Sequence, residues 1–219
     1  VAELSKELDM RAQAILRGND RGGYTVPTSG LYPYQWNWDS ALAAWGFSTF
    51  DVDRAWVELE TLFSGQWENG MVPHILFHKV DPGYFPGPEV WGSGTALPSS
   101  GISQPPVAAT MARLVLEADP AFTHRARALF PKLMAWHRWF MRHRVRDGMV
   151  CITHPWESRR ANCPDRAFGM AGPAVPGSGG YQRRDTSHVS SSMRLTQAAH
   201  YPYLTIQGIG RPPAGDPEI

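Results

Sequence analysis

Cysteine is nearly missing: Cys151 and Cys163 are the only two in 219 residues. Two are too few to staple a fold of this size, which excludes a disulfide-built scaffold. No sign of charge dominates either. Lys and Arg number 21 against 20 Asp and Glu, a formal net charge of +1. Such a balance exerts no long-range pull on a polyanion, so neither nucleic acid nor an anionic membrane is an expected partner. Long apolar runs are lacking too, since none approaches the ~20 residues that a membrane-spanning helix needs. The chain opens on a polar, helix-like stretch (VAELSKEL) and not on an apolar signal core. These absences predict a cytoplasmic protein whose partner is small or neutral. No P-loop, GxSxG, HExxH or paired CxxC occurs, which removes nucleotide kinases, α/β-hydrolases and zinc peptidases from the leading readings.

What is present is apolar and aromatic. A hydrophobic fraction of 42% and an aromatic fraction of 11%, with 9 tryptophans, supply a sizeable core, and the length bounds the chain to one domain or a piece of a larger one. Leu4, Leu8, Ala12 and Ile15 keep helical spacing up to Gly18 and predict a first helix with that stripe buried. The turn-rich, aromatic text from Asn19 to Asn37 reads as a long loop. A helix from near Asp39 carrying Leu42, Trp45 and Phe50, and another carrying Trp56, Leu59, Leu62 and Phe63, read as a hairpin. Residues 64–103 are rich in Gly and Pro, with almost no helical period. Loops of such length are functional or disordered, and Trp67, Phe77, Tyr84, Phe85 and Trp91 argue for a folded lid or cleft wall. Pro105 and Pro106 suit a helix start, with Val107, Met111 and Leu114 as its buried stripe. Phe122, Ala126, Leu129, Leu133, Trp136 and Phe140 form a long helical pattern that Pro131 should kink or divide. Asp147-Gly148 stops it, and Val150–Thr153 reads as a short strand or extended entry. The alternation of helix pairs and loops, without strand–helix alternation, predicts a mainly α fold with its chemistry in the loops.

The segment from Tyr32 to Ser40 (YPYQWNWDS) concentrates what a sugar site requires. Aromatic faces stack on the C–H face of a pyranose, amides bridge hydroxyls, and a carboxylate accepts paired hydrogen bonds from a diol. Equally, Asp39 caps the next helix and the tryptophans are core; both readings stay open. His74 follows a proline and stands on a stiffened backbone. It is four residues from His78, as paired metal ligands on a helix would be, but no third ligand follows and Pro73 argues against a helix, so no metal is expected. His74 is either a donor to a ligand oxygen or a hydrogen-bonded loop histidine. Gln104 precedes a helix start, where unpaired N–H groups welcome a polar ligand or need none. Glu157 is either catalytic or paired with Arg159 or Arg160, and the pair is favoured. Arg183, Arg184, Asp185 and His188 clamp a carboxylate or form a solvated patch.

Taken together, QWNWDS at 35–40, GQWENGMVPHI at 65–75, YFPGPEVWGS at 84–93, SGISQPPV at 100–107, HPWES at 154–158 and RRDTSHV at 183–189 closely resemble the glucosylglycerate and mannosylglycerate hydrolases. These are bacterial glycoside hydrolases with an (α/α)6 barrel, related to trehalase-like and processing-glucosidase-like enzymes. The resemblance implies an (α/α)6 toroid of helix hairpins, no cofactor, and inverting hydrolysis of the bond between glucose or mannose and glycerate, a compatible solute. In inverting hydrolysis one carboxylic acid protonates the leaving oxygen and a second carboxylate activates water, the two ~6.5–9.5 Å apart. By position in the matching blocks, Tyr32, Trp36, Asp39, His74, Tyr84, Gln104 and Trp156 would line the sugar and glycerate subsites. Arg183 or Arg184 would receive the glycerate carboxylate.

Two departures from the family pattern stand out. The family follows HPWES with a glycine and an Asp-Asn-Ser-Pro segment whose Asp is the general acid. This chain reads Arg159-Arg160-Ala161-Asn162-Cys163-Pro164, with Ala161 at the acid's position. A methyl group delivers no proton, and losing general acid catalysis forfeits ~100 to 10,000-fold in rate. The family also continues well past the position of Ile219, supplying the base glutamate and closing the toroid. Residues 1–219 are therefore expected to be the amino-terminal portion of one (α/α)6-barrel domain, impaired in catalysis: a fragment, a decayed copy or half of a split enzyme. A partial toroid leaves apolar helix faces for a second copy or a complementing chain to cover. The rival expectation is a non-catalytic sugar-binding protein.

Overall fold

A computed structural model describes residues 2–29, 31–84 and 86–158; the expectations placed on Ala161, Arg183 and Arg184 lie outside these described residues. The polar opening stretch forms α1 (Ala2–Asn19). A loop leads to β1 (Gln35–Trp36), which runs directly into α2 (Asn37–Phe47). After a short turn comes α3 (Val52–Ser64), started by the Asp51 carboxylate, which accepts from the Arg54 amide at 3.1 Å. Among its described residues the next stretch holds only β2 (Ile75–Leu76) and α4 (Pro88–Trp91) before α5 (Ala108–Ala118). A 3-10 turn (Pro120–Phe122) leads into α6 (Thr123–His143). A hairpin of β3 (Val145–Arg146) and β4 (Met149–Val150) follows, then a second 3-10 turn (Pro155–Ser158). The described residues are mainly α, as expected. Among the described residues no helix is long and apolar enough to cross a membrane.

The helices share one core. Ala41, Ala44 and Phe47 of α2 meet Ala55, Trp56, Leu59, Leu62 and Phe63 of α3, Ala108, Ala112 and Val115 of α5, and Leu129, Leu133, Trp136 and Trp139 of α6. The α2–α3 pair is the expected hairpin. On α5 the buried stripe is one residue along from the expected Val107, Met111 and Leu114, which are only half-buried. Its small residues let the helix approach α2 and α3 closely, an advantage that hydrophobicity alone does not register. On α2, too, small residues are buried, while Leu42 and Trp45 face out.

α1 departs further from expectation. Leu4, Leu8, Ala12 and Ile15 are all exposed; the helix docks instead through Leu16, packed against the core, and through Arg17, whose guanidinium lies 4.9 Å from the Phe50 ring centroid. Pro131 does not divide α6. Asp147 and Gly148, with φ of 51° and 76°, form the tight turn of the β3–β4 hairpin, where consecutive positive φ values match the strand twist. The strand is thus Met149–Val150 and not Val150–Thr153.

Candidate functional site

The site is built by three irregular segments running side by side. β1 pairs antiparallel with β2, Gln35 opposite Leu76 and Trp36 opposite Ile75. Beyond the strands, the Asn37 amide donates to the His74 carbonyl at 3.0 Å, and the His74 amide donates to the Ile102 carbonyl at 2.8 Å. The Ser100 amide reaches the Ile75 carbonyl at 3.1 Å and the Phe77 amide the Pro98 carbonyl at 2.9 Å. Backbone groups in loops, satisfied this fully, make a rigid wall. The wall draws QWNWDS, GQWENGMVPHI and SGISQPPV together, although the first and last are more than sixty residues apart.

On this wall stands a second apolar cluster, separate from the helical core. It comprises Tyr34, Trp36, Ile75, Phe77, Trp91 and Ile102, with Tyr32, Tyr84 and Trp156 packed against it. Tyr32 meets Trp36 edge-on at 5.2 Å, and Tyr84 meets Trp36 at 5.5 Å and Tyr34 at 5.3 Å. His74 is surrounded by Trp36 at 6.5 Å, Trp91 at 6.0 Å and Trp156 at 6.1 Å. Its Nδ1 lies 2.9 Å from the Ser100 hydroxyl. Thus Tyr32, Trp36, His74, Tyr84 and Trp156 converge.

Asp39 sits half-buried in the first turn of α2, where the positive end of the helix favours an anion. It is not the cap: Trp36 occupies that position without a side-chain hydrogen bond. The Gln104 side chain is buried, and its Oε1 accepts from the Trp38 amide at 2.9 Å. Gln104 thus supplies an acceptor to α2's own first turn, tying the third segment to the residues on either side of Trp38.

Glu157 fixes the last block. Its carboxylate accepts from Arg144 at 2.8 Å, from the Ser103 amide at 3.2 Å and from the Thr153 amide at 2.7 Å. Burial pushes its pKa up, but the Arg144 guanidinium and these amides outweigh that and hold it below 4.5. Among the described residues its ion partner is Arg144, delivered by the end of α6; Arg159 and Arg160, the partners expected from sequence, lie outside them. Glu157 is a clamp that holds the turn carrying Trp156 against Ser103.

His74 and His78 go separate ways. His78 Nε2 lies 2.7 Å from Gln35 Oε1, and its ring stacks on Tyr24 at 4.1 Å. The Gln35 amide nitrogen in turn donates to Ser40 at 2.9 Å and to the buried Glu58 carboxylate at 3.2 Å. Glu58 also accepts from the Ser40 hydroxyl, from Arg54 at 2.8 Å and from the Thr25 amide at 3.1 Å. This network holds β1 on α3 from behind. Sequence reasoning gave no site role to Trp91 or Ser100, which the fold brings to His74. Both lie in the family-like blocks, and the signal was the density of those blocks and not either residue type.

The irregular connections between the helices thus gather their aromatic side chains into one wall. The chain belongs to the mannosylglycerate hydrolase MGH1-like glycoside hydrolase domain family, whose model matches residues 32–216. It is 50% identical over 209 residues to mannosylglycerate hydrolase MGH2 of Selaginella moellendorffii, covering 90% of this chain and 43% of that protein. It is 39% identical over 219 residues to the glucosylglycerate hydrolase of Mycolicibacterium hassiacum, covering 90% and 48%. The Selaginella relatives extend the family beyond the bacterial enzymes that the motifs resemble. The crystal structure of the GH63 mannosylglycerate hydrolase from Thermus thermophilus in complex with Tris and D-glycerate matches with a TM-score of 0.77 at 45% identity, covering 89% of this chain and 49% of that one. The helices of this chain are accordingly part of an (α/α)6-type toroid. The chain spans about half the length of the curated relatives it matches.

Proposed function

We propose that this chain forms the amino-terminal sugar-binding wall of an inverting glycoside hydrolase acting on mannosylglycerate or glucosylglycerate, with residues 1–219 as one portion of an (α/α)6-barrel domain. One observation carries the reading: Trp36, then His74, Tyr84 and Trp91 of the stretch between α3 and α5, and Trp156 near the last 3-10 turn meet in a single cluster. Aromatic faces beside a hydrogen-bonded histidine suit a pyranose. In this reading Tyr32, Trp36, Asp39, His74, Tyr84, Gln104 and Trp156 line the sugar and glycerate subsites. Asp39 grips sugar hydroxyls, and Arg183 or Arg184 receives the glycerate carboxylate. The setting is cytoplasmic and the ligand a small solute. Ala161 stands at the general acid position, so turnover by this chain is low.

The test combines two readouts on the same protein, tryptophan quenching on titration with each glycoside and release of free glucose or mannose. Quenching with slow release supports the proposal, and neither signal overturns it. Ala161→Asp, assayed together with a polypeptide covering the remaining half of the relatives' length, should raise release by ~100-fold or more; no gain sinks the account of a damaged enzyme. Ala161 itself favours a second reading, a non-catalytic sugar binder, which predicts quenching with no release even in the Ala161→Asp protein.

A further inference from the structure

We infer that Ser100 is a positioning residue that fixes the His74 imidazole as its Nε2–H tautomer. A count of hydrogens leads there. The Ile75 amide lies 3.0 Å from Ser100 Oγ and can only donate to it, which uses one lone pair of the hydroxyl. His74 Nδ1 lies 2.9 Å from the same oxygen. Two arrangements remain. If Nδ1 carries the proton it takes the second lone pair, and the Ser100 hydroxyl hydrogen then has no acceptor among the described residues, in a side chain with 0% exposure. If instead the hydroxyl donates to Nδ1, the Ser100 hydroxyl, the Ile75 amide and Nδ1 are all satisfied. Burying an unsatisfied donor is costly enough to bias the tautomers by roughly tenfold or more.

The geometry around the pair leaves it little freedom. The His74 backbone is bonded on both sides, amide to Ile102 and carbonyl from Asn37, and the Ser100 amide is bonded to Ile75. Ring and hydroxyl are thus held by the same three-segment wall. The consequence for ligand recognition rests on the sugar-binding reading. An imidazole whose Nδ1 already accepts has Nε2 only as a donor, so a polar partner of that nitrogen must offer a lone pair, as the oxygen of a hydroxyl or carboxylate does. A tautomer free to exchange would offer either a donor or an acceptor and discriminate less.

Long-range proton–nitrogen correlation spectra of the chain labelled with 15N-histidine test this, with His74 assigned by the signals missing from His74→Gln. The expected pattern is a pyridine-type Nδ1 and a pyrrole-type Nε2 at neutral pH. In Ser100→Ala the expected change is a shift toward mixed tautomers, together with an approximately tenfold weaker titration by mannosylglycerate. A pyrrole-type Nδ1 in the unsubstituted chain, or tautomers unmoved in a folded Ser100→Ala protein, overturns the inference. Should Ser100→Ala fail to fold, the spectrum of the unsubstituted chain decides alone. If the spectra match expectation but mannosylglycerate leaves every His74 signal in place, the tautomer assignment stands and the sugar-site reading falls.

Discussion

Burial pushes His78 from 6.5 to about 4, which leaves its ring neutral and its Nε2–H donating to Gln35 Oε1 at 2.7 Å. Protonation would place a charge in a half-buried position stacked on Tyr24. The unfolded chain takes up this proton near 6.5 and the folded chain only near 4. The contribution of His78 is therefore fully present above pH 6.5 and is lost as pH falls through that window. Denaturant midpoints measured from pH 7.5 to 4.5 should decline with acidification, and His78→Gln should flatten the decline. A flat profile in the unsubstituted chain counts against it. Gly70 is a second residue whose identity is dictated locally. Its φ is +98°, and a Cβ there would lie 2.6 Å from the Ala135 carbonyl oxygen, a backbone atom of α6. Gly70→Ala should destabilise by roughly 2 kcal/mol, read as a lowered denaturation midpoint with an unchanged m-value. The sequence marked Gly70 only as a member of a dense block and His78 only by its four-residue spacing from His74; neither the burial of His78 nor the approach of α6 to Gly70 is a local property.

At the scale of elements, α6, the β3–β4 hairpin and the last 3-10 turn act as one lever. α6 ends at His143, and the next residue, Arg144, has its guanidinium over Trp139 at 4.4 Å and bonds Glu157 at 2.8 Å. The hairpin reverses the chain so that Glu157 returns to that point. Glu157→Gln removes the anion and leaves Arg144 buried without its partner charge, which should cost about 3 kcal/mol. The loss should be local: the Ser103 and Thr153 amides should exchange with solvent faster, while amides in α3 keep their protection. Uniform loss of protection would show that the turn is not a separate unit. Because Glu157 is held below 4.5 by Arg144 and the two amides against the opposing effect of burial, its contribution is present above about 4.5 and is lost as pH falls further. That acid limb begins inside the lower end of the His78 window, which runs from 6.5 to about 4, so the His78→Gln background separates the two. Sequence alone offered Arg159 and Arg160 as partners because they are adjacent. Arg144 is brought in by a helix terminus and a two-residue turn, and only the assembled elements supply that geometry.

For the molecule as a whole, helical period located α1, α2, α3, α5 and α6, and turn composition located the connections that build the wall. The direction each helix faces was less legible. On α5 and α2 alanines make much of the contact, beside Phe47 and Val115, and hydrophobicity alone ranks them below the exposed Leu42 and Trp45. On α1 the apolar stripe points outward, with Leu4, Leu8 and Ile15 exposed at 62%, 57% and 64%. An apolar stripe records that a face is destined for burial, but not against what. Helix spacing places these three side chains on one face, and α2 adds exposed Trp45. Apolar faces of this kind associate when a complementary surface is available. In a solution of this chain alone that surface is a second copy. The apparent mass in size-exclusion chromatography should therefore rise with protein concentration, and the double variant Leu8→Glu, Ile15→Lys should hold it at the monomer value. Neither side chain belongs to the helical core, so the denaturation midpoint of the double variant should stay within ~0.5 kcal/mol of the unsubstituted chain. A monomer at every concentration would show that the α1 stripe is tolerated in water, and would remove the case for a covering surface.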